Sequence, residues 1–167
     1  MTKASFSCGY SFCKKVLDYK LDALVLLGGF GIVKEPFLST CRNGILSYHH
    51  GDMRKYRGQP PCFWELYNGE KNIGVTVQKL SERLDAGLPI LERNIKIRDN
   101  DNLTSLRKRV FDLSENMMLE ALLKVNSNKF KSKELNELGP VYTLPNLRQW
   151  FILKSKLIYR KLSSNNR

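Results

Sequence analysis

Two short apolar runs constrain this chain more than any other feature. Ala23–Leu27 (ALVLL) stops at Gly28 and Gly29, and Ile45–Tyr48 (ILSY), opened by Gly44, ends at His49. Runs this short, bounded by glycines, predict strands buried on both faces, as in a parallel sheet. In open sheets of that kind, ligands bind beyond the carboxyl ends of the strands. The second run therefore delivers His49 and His50, with Asp52 just behind, to a place where a site can form. Histidines beside an acid can do acid–base work near neutral pH. A structural histidine bonded to a backbone carbonyl fits the same pattern equally well.

Around these runs strands and helices alternate, which predicts an α/β layer architecture. Residues 11–19 predict a short helix and residues 32–40 a short helix or turn. Gln59–Tyr67 reads as a helix with prolines near its start and Gly69 after its end. Phe63 and Trp64 on that helix read as packing. Ile73, Val75 and Val77 alternate as in a half-buried strand, and residues 88–97 form a further strand. Asn102 can cap one long helix through Leu103, Leu106, Val110, Leu113, Met117 and Ala121, with Met117 and Met118 filling the core. Residues 126–137 read as a polar loop. Pro145 opens a last helix, basic and amphipathic, whose apolar face either docks on the domain or lies on a membrane interface.

A length of 167 residues suits one domain with a sizeable core. No apolar run is long enough to span a bilayer, and the first residues lack the apolar stretch of a secretion signal, so the chain reads as cytoplasmic. Cys8, Cys13, Cys41 and Cys62 match no zinc spacing and read as buried reduced thiols, and no metal is expected. The net charge is +12. From Lys129 onward nine Lys and Arg stand against two glutamates, Glu134 and Glu137. Such an excess favours anionic partners, whether nucleic acid, nucleotides or a membrane surface, and equally describes a solvated basic tail.

The stretch YHHGDMRKYRGQPPCFWELYNGEKNIGVTVQKLSERLDAGLPIL, residues 48–91, carries a more specific pattern. His49, the Tyr56-Arg57-Gly58 turn, Pro61, Gly69-Glu70, the Gly74-Val75-Thr76 strand, and Asp85 with Gly87 occur in the order found in the folate-dependent formyltransferases. That family includes methionyl-tRNA formyltransferase, glycinamide ribonucleotide transformylase and the amino-sugar N-formyltransferases. The likeness extends upstream to DALVLLGGFGIV and downstream to LTSLRKRVFDL, so that residues 22–125 resemble the family's catalytic half.

The resemblance implies a Rossmann-like formyltransferase fold and transfer of a formyl group from 10-formyltetrahydrofolate to an amine. It implies His49 as the group facing the oxyanion of a tetrahedral intermediate, and Asp85 as the acid that organises the histidine and a proton-relaying water. Ser47 stands where the family carries an Asn. A hydroxyl is the shorter donor, and one lost oxyanion donor costs on the order of a hundredfold to a thousandfold in rate. Leu84, Ala86 and Gly87 would line the pterin pocket, with Gly28, Gly29 and Phe30 along the adjoining cleft. His50, Asp52, Arg57 and Gly58 fall in the substrate-side loop. Arg57 reads as structural or substrate-orienting, and Arg54 and Lys55 as loop charges facing solvent.

Family members carry further strands before the one at Ala23, where this chain has only 22 residues. The fold is therefore expected to be incomplete at its amino end and to expose a sheet edge, unless a second copy covers it or the chain is a piece of a longer protein. The expected organisation is a catalytic domain over 1–125 and a basic linker with an amphipathic helix over 126–167. The expected acceptor is an amino sugar or nucleotide-linked sugar rather than methionyl-tRNA, because the carboxyl end is too short for a separate tRNA-binding domain. The alternative is a weakened or inactive formyltransferase-like protein that binds nucleic acid or an anionic membrane surface.

Overall fold

The two apolar runs become neighbouring parallel strands, β2 (Leu24–Leu26) and β4 (Ile45–His49), with Leu24 opposite Ile45 and Leu26 opposite Ser47. The computed structural model describes residues 5–6, 10–28, 31–127 and 134–165. Two longer strands, β6 (Asn72–Lys79) and β7 (Leu88–Lys96), complete a sheet of order β2-β4-β6-β7. β6 runs antiparallel to both of its neighbours, so the sheet is mixed. Among the described residues, β2 is one edge of this sheet.

Alternation sorts the two faces. Leu46, Ile73, Val75 and Val77 enter the main core with Phe63, Leu106, Val110, Met117 and Leu153. Ile45 turns to the other face and packs with Cys13, Val16, Val33 and Phe37. Ser47 and His49 share that second face with Ile45, because strand side chains repeat every second residue. β6 differs from the half-buried strand expected: Ile73 through Gln78 are all buried. Its second face is not solvated but covered, and it carries Gly74, Thr76 and Gln78, small or hydrogen-bonded residues suited to a buried polar layer.

The helices enclose this sheet. α1 (Tyr10–Asp18) supplies Cys13 and Val16 to the smaller core. Residues 32–40 form no helix of full length. Ile32–Val33 is strand β3, paired in parallel with β1 (Ser5–Phe6), and Phe37–Ser39 is a single 3-10 turn. The helix expected over 59–67 is shorter, α2 (Phe63–Asn68), since the Gln59-Pro60-Pro61 turn holds its front open. Phe63 is fully buried and meets Trp64 and Trp150 edge to face, with ring centroids 5.0 and 4.8 Å apart.

The single helix expected after Asn102 is two, α3 (Leu103–Ser114) and α4 (Met117–Val125), broken at Glu115-Asn116. The break brings Met117 and Met118 into the core, where both are buried. There the Tyr48 hydroxyl accepts from the Met118 N–H at 3.0 Å and donates to the Ser114 carbonyl at 2.7 Å. One side chain thus satisfies backbone groups that the interruption leaves unpaired.

The carboxyl segment belongs to the same core. β8 (Val141–Tyr142) pairs in parallel with β5 (Arg57–Gly58). α5 (Leu147–Asn165) then buries Leu153 and packs Trp150 and Leu157 on the main cluster. Cys13, Cys41 and Cys62 are buried thiols, and Cys8 lies outside the described residues. Burial pushes the Cys62 thiol up to about 12, which leaves it inert at neutral pH.

Asn102 caps α3 as expected. Its Oδ1 accepts from the Thr104 and Ser105 N–H groups, both at 2.9 Å, and the Ser105 hydroxyl accepts from the Asn102 N–H at 3.0 Å. Asn102→Ala removes both acceptor bonds and is expected to cost about 1 kcal/mol, read as a lower urea midpoint at unchanged m-value.

Candidate active site

His49 is the last residue of β4, and its ring is only 6% exposed. Its Nδ1 lies 3.5 Å from the Asp85 carboxylate and its Nε2 lies 2.7 Å from the Tyr56 carbonyl oxygen. A carbonyl only accepts, so Nε2 carries a proton and donates. Burial alone would lower the His49 pKa. The bond to Asp85 and its negative charge, helped by the Tyr56 carbonyl, outweigh burial and leave it raised. Burial likewise pushes Asp85 up, but the bond to His49 and its charge prevail and hold the carboxyl below its usual range. The two form a histidine–carboxylate pair in which the imidazole is buried and the carboxylate half-buried.

Asp85 is positioned by more than the histidine. It sits at φ +43°, a left-handed backbone that Asp tolerates better than most residues. Its Oδ2 accepts from the Gly58 N–H at 2.8 Å and its Oδ1 from the Gln78 side-chain amide at 3.3 Å. The Gln78 Oε1 in turn accepts from the Gly87 N–H at 3.0 Å. A Cβ on Gly87 would lie 2.0 Å from the Lys79 carbonyl oxygen, so only glycine lets the 80–87 loop fold back over β6.

The remaining expected residues divide around this pair. Ser47 shares the His49 face, but its hydroxyl is 3.1 Å from the Leu26 carbonyl and donates there. Leu84 and Ala86 flank Asp85. Their carbonyls accept from Arg57 Nη1 at 3.3 Å and from the Ser81 hydroxyl at 3.1 Å. Gly28 is exposed where β2 ends, and Gly29 and Phe30 lie outside the described residues. Arg57 also donates from Nε to the Gly139 carbonyl at 2.7 Å, a bracing role. The ring of His50 stacks on Tyr48, packs 4.4 Å from Phe111 and bonds Ser114 at 3.4 Å, toward α3 rather than Asp85. Burial, then the charge of His49, lowers His50 to about 4, so it stays neutral. Asp52 closes the loop by accepting from the Arg54 N–H, while the Arg54 guanidinium is held by Glu92 at 2.6 and 3.1 Å.

Three contributors escaped sequence reading. Gln78 and the Tyr56 carbonyl are two. The third is Glu65, buried in the first turn of α2 and pushed by burial up to about 7. A Cβ on Gly51 would lie 2.7 Å from His49 Nε2 and 3.4 Å from Glu65 Oε1. The bare glycine thus lets histidine and glutamate crowd one small space. A cavity of about 10 Å³ touches both. A groove of about 880 Å³, between α1 and Leu80–Glu82, includes neither. Among the described residues no group of three or more His, Cys, Asp or Glu is placed to hold a metal ion.

A mixed α/β sheet whose parallel strand ends in a histidine, paired with an aspartate on a folded-back loop, defines a class, and comparison supplies its name. Residues 9–122 match the formyl transferase family, and the chain belongs to that family. Methionyl-tRNA formyltransferase of Thermotoga neapolitana is 32% identical over 121 residues, which are 72% of this chain and 39% of the relative. The chain thus spans about two fifths of the length of such relatives. Among solved structures, a sugar N-formyltransferase from Shewanella superposes with a TM-score of 0.70 at 15% identity, covering 89% of this chain and 64% of that one. The formyltransferase PseJ of Anoxybacillus kamchatkensis, in complex with UDP-4,6-dideoxy-4-formamido-L-AltNAc and tetrahydrofolate, gives 0.68 at 15% identity over 88% of each chain.

The raised His49 pKa makes its contribution to stability full below about pH 6.5, and this is lost as pH rises through the folded value. The lowered Asp85 pKa contributes above about pH 3.9, and this is lost as pH falls through its own folded value. The pair therefore stabilises the fold between those two folded pKa values. Asp85→Asn keeps an acceptor for the Gly58 N–H but removes the charge. The His49 titration, followed by NMR of the ring protons, is expected to move to lower pH in that variant; an unmoved midpoint would show that Asp85 does not hold the proton on His49.

Proposed function

We propose that the chain transfers a formyl group from 10-formyltetrahydrofolate to an amine, with His49 and Asp85 as the reacting pair. The observation that carries this reading is the pairing of half-buried Asp85 with buried His49 in a chain of the formyl transferase family. Bound at this site, the folate would supply an activated formyl carbon. Asp85 keeps the imidazole protonated and fixes its plane. An imidazolium can donate to a carbonyl oxygen as negative charge grows there. The Nδ1 contact, at 3.5 Å, is the looser of the ring's two, so the Nδ1 proton can be shared with a substrate oxygen while the Asp85 charge stays beside the ring. Asp85, already braced by Gly58 and Gln78, can take up a proton through water as the amine loses it, and return it to the folate nitrogen as the bond from that nitrogen to the formyl carbon breaks.

The residues at the loop suit a pterin. Each carbonyl accepts through two lone pairs, so Leu84 and Ala86, each holding one internal donor, keep capacity for a ring amine. Arg57, bonded to Leu84 and Gly139, stiffens the loop against which such a ring would lie. Ser47 is the weak point, because its hydroxyl is turned to the Leu26 carbonyl rather than to the reacting centre.

For the acceptor we favour an amino sugar carried on a nucleotide. Support comes from the PseJ structure, which shares the fold and is bound to a UDP-linked formamido sugar and tetrahydrofolate. The basic charge of the chain suits either anionic acceptor.

Calorimetric titration with a folate analogue, followed by mass spectrometry of amino-sugar nucleotides and of methionyl-tRNA incubated with formyl donor, tests both levels. His49→Ala and Asp85→Asn are each expected to lower turnover by at least about a hundredfold while the protein still binds folate. Wild-type turnover in both variants would remove the mechanism, and absence of folate binding would remove the function. Ser47→Asn, which returns a carboxamide beside His49, is expected to raise turnover, by up to the roughly hundredfold that one oxyanion donor supplies.

A further inference from the structure

α5 has two apolar faces, and the fold uses only one. Trp150, Leu153 and Leu157 pack into the core. Lys156 and Arg160 secure the same side, donating to the Tyr67 carbonyl at 2.6 Å and the Arg98 carbonyl at 2.7 Å. On the far side Leu147, Phe151, Ile158 and Leu162 are 78, 67, 62 and 61% exposed. Steps of four, seven and four residues hold these side chains within roughly 60° around the axis, in a stripe about 22 Å long. Arg148 stands along one margin of the stripe, and Lys154 and Lys161 along the other. The helix contains no Asp or Glu.

The geometry points to the outward face of α5 as a surface that lies on an anionic membrane interface, its apolar stripe in the acyl boundary and its basic margins among lipid phosphates. Charge complementarity selects this occupant. A second copy would set one acid-free basic helix against another, like charge against like. Nucleic acid would satisfy the Lys and Arg but leave four large apolar side chains in water. A lipid interface takes both, since long basic side chains reach the headgroups while aliphatic and aromatic ones enter the hydrocarbon edge. Among the described residues no helix is long and apolar enough to cross a membrane. Attachment of this kind is peripheral, adds through buried apolar area and surface charge, and weakens as salt screens the charge. It stands apart from formyl transfer, and neither reading depends on the other.

Sedimentation of the full chain with phosphatidylcholine vesicles, with and without phosphatidylglycerol, tests it. Retention on the phosphatidylglycerol vesicles is expected, falling at least tenfold in Phe151→Ser/Ile158→Ser and severalfold in Arg148→Glu/Lys154→Glu or at high salt. All four positions are exposed, and circular dichroism with thermal melting confirms that each variant folds. The proposal is overturned by no retention on phosphatidylglycerol vesicles, by equal retention of the serine variant, or by equal retention on phosphatidylcholine alone. A concentration-dependent dimer that Phe151→Ser dissolves, or binding to a DNA probe that survives it, each without vesicle binding, would assign the face to another partner and equally overturn it.

Discussion

Asp85 joins four pieces of chain that are distant in sequence. Its carboxylate meets the end of β4 through His49, the β5 turn through the Gly58 N–H, and the body of β6 through Gln78, while its own backbone lies in the 80–87 loop. Remove its charge and the histidine loses the partner that offsets burial; remove its side chain and an N–H of β5 goes unpaired. The rest follows from this convergence. The loop must fold back over β6, which demands the glycine at 87, and β5 must come close, which Arg57 secures through Leu84 and Gly139. β8 then pairs with β5, so the carboxyl segment is tied to the same locus as the acid.

The strands and their faces were legible because periodicity is a local signal. ALVLL and ILSY announced neighbouring parallel strands, although ALVLL, at the sheet edge, is only half-buried and leaves Leu27 exposed, and the order from His49 through the Tyr-Arg-Gly turn to Asp85 announced the family. What was not legible depends on contacts between segments. Gln78 reads as an ordinary polar residue at a strand end; only the loop that returns over β6 makes it the brace of Asp85 and Gly87. The break between α3 and α4 has no Pro or Gly to mark it, and the Tyr48 hydroxyl stabilises it from the other side of the core. β6 looked half-solvated from its alternation. Its polar face is covered, so alternation there marks a change of chemistry between two buried layers rather than the boundary with water.

The same limit applies to α5. Periodicity shows that the helix is amphipathic but not which apolar residues the fold uses. Trp150, Leu153 and Leu157 form one face, Leu147, Phe151, Ile158 and Leu162 a second, and only packing against α2 and the sheet separates them. Composition is silent on the contacts of the carboxyl segment for a related reason. A basic, Lys-rich stretch resembles a linker, yet Gly139 donates to the Met53 carbonyl and Tyr142 packs on Tyr56 and Trp64, beside the site.

Glu65 changes how the site must be read electrostatically. Its place in the first turn of α2 favours the charged form through the helix dipole, but burial opposes this and prevails, holding the carboxyl at about 7. A folded value above the ordinary glutamate range means the folded state keeps a proton that the unfolded state releases. The fold therefore loses stability as pH rises through that interval. The Asp85–His49 pair behaves differently: the carboxyl is shifted down and the imidazole up, each by the other's charge. Near pH 7 Glu65, beside His49, changes charge. An activity step near neutral pH, which habit would assign to the histidine, has the glutamate beside it as a second source. Glu65→Gln, which keeps the shape and removes the titration, separates the two: it erases a step that Glu65 causes and leaves one that His49 causes.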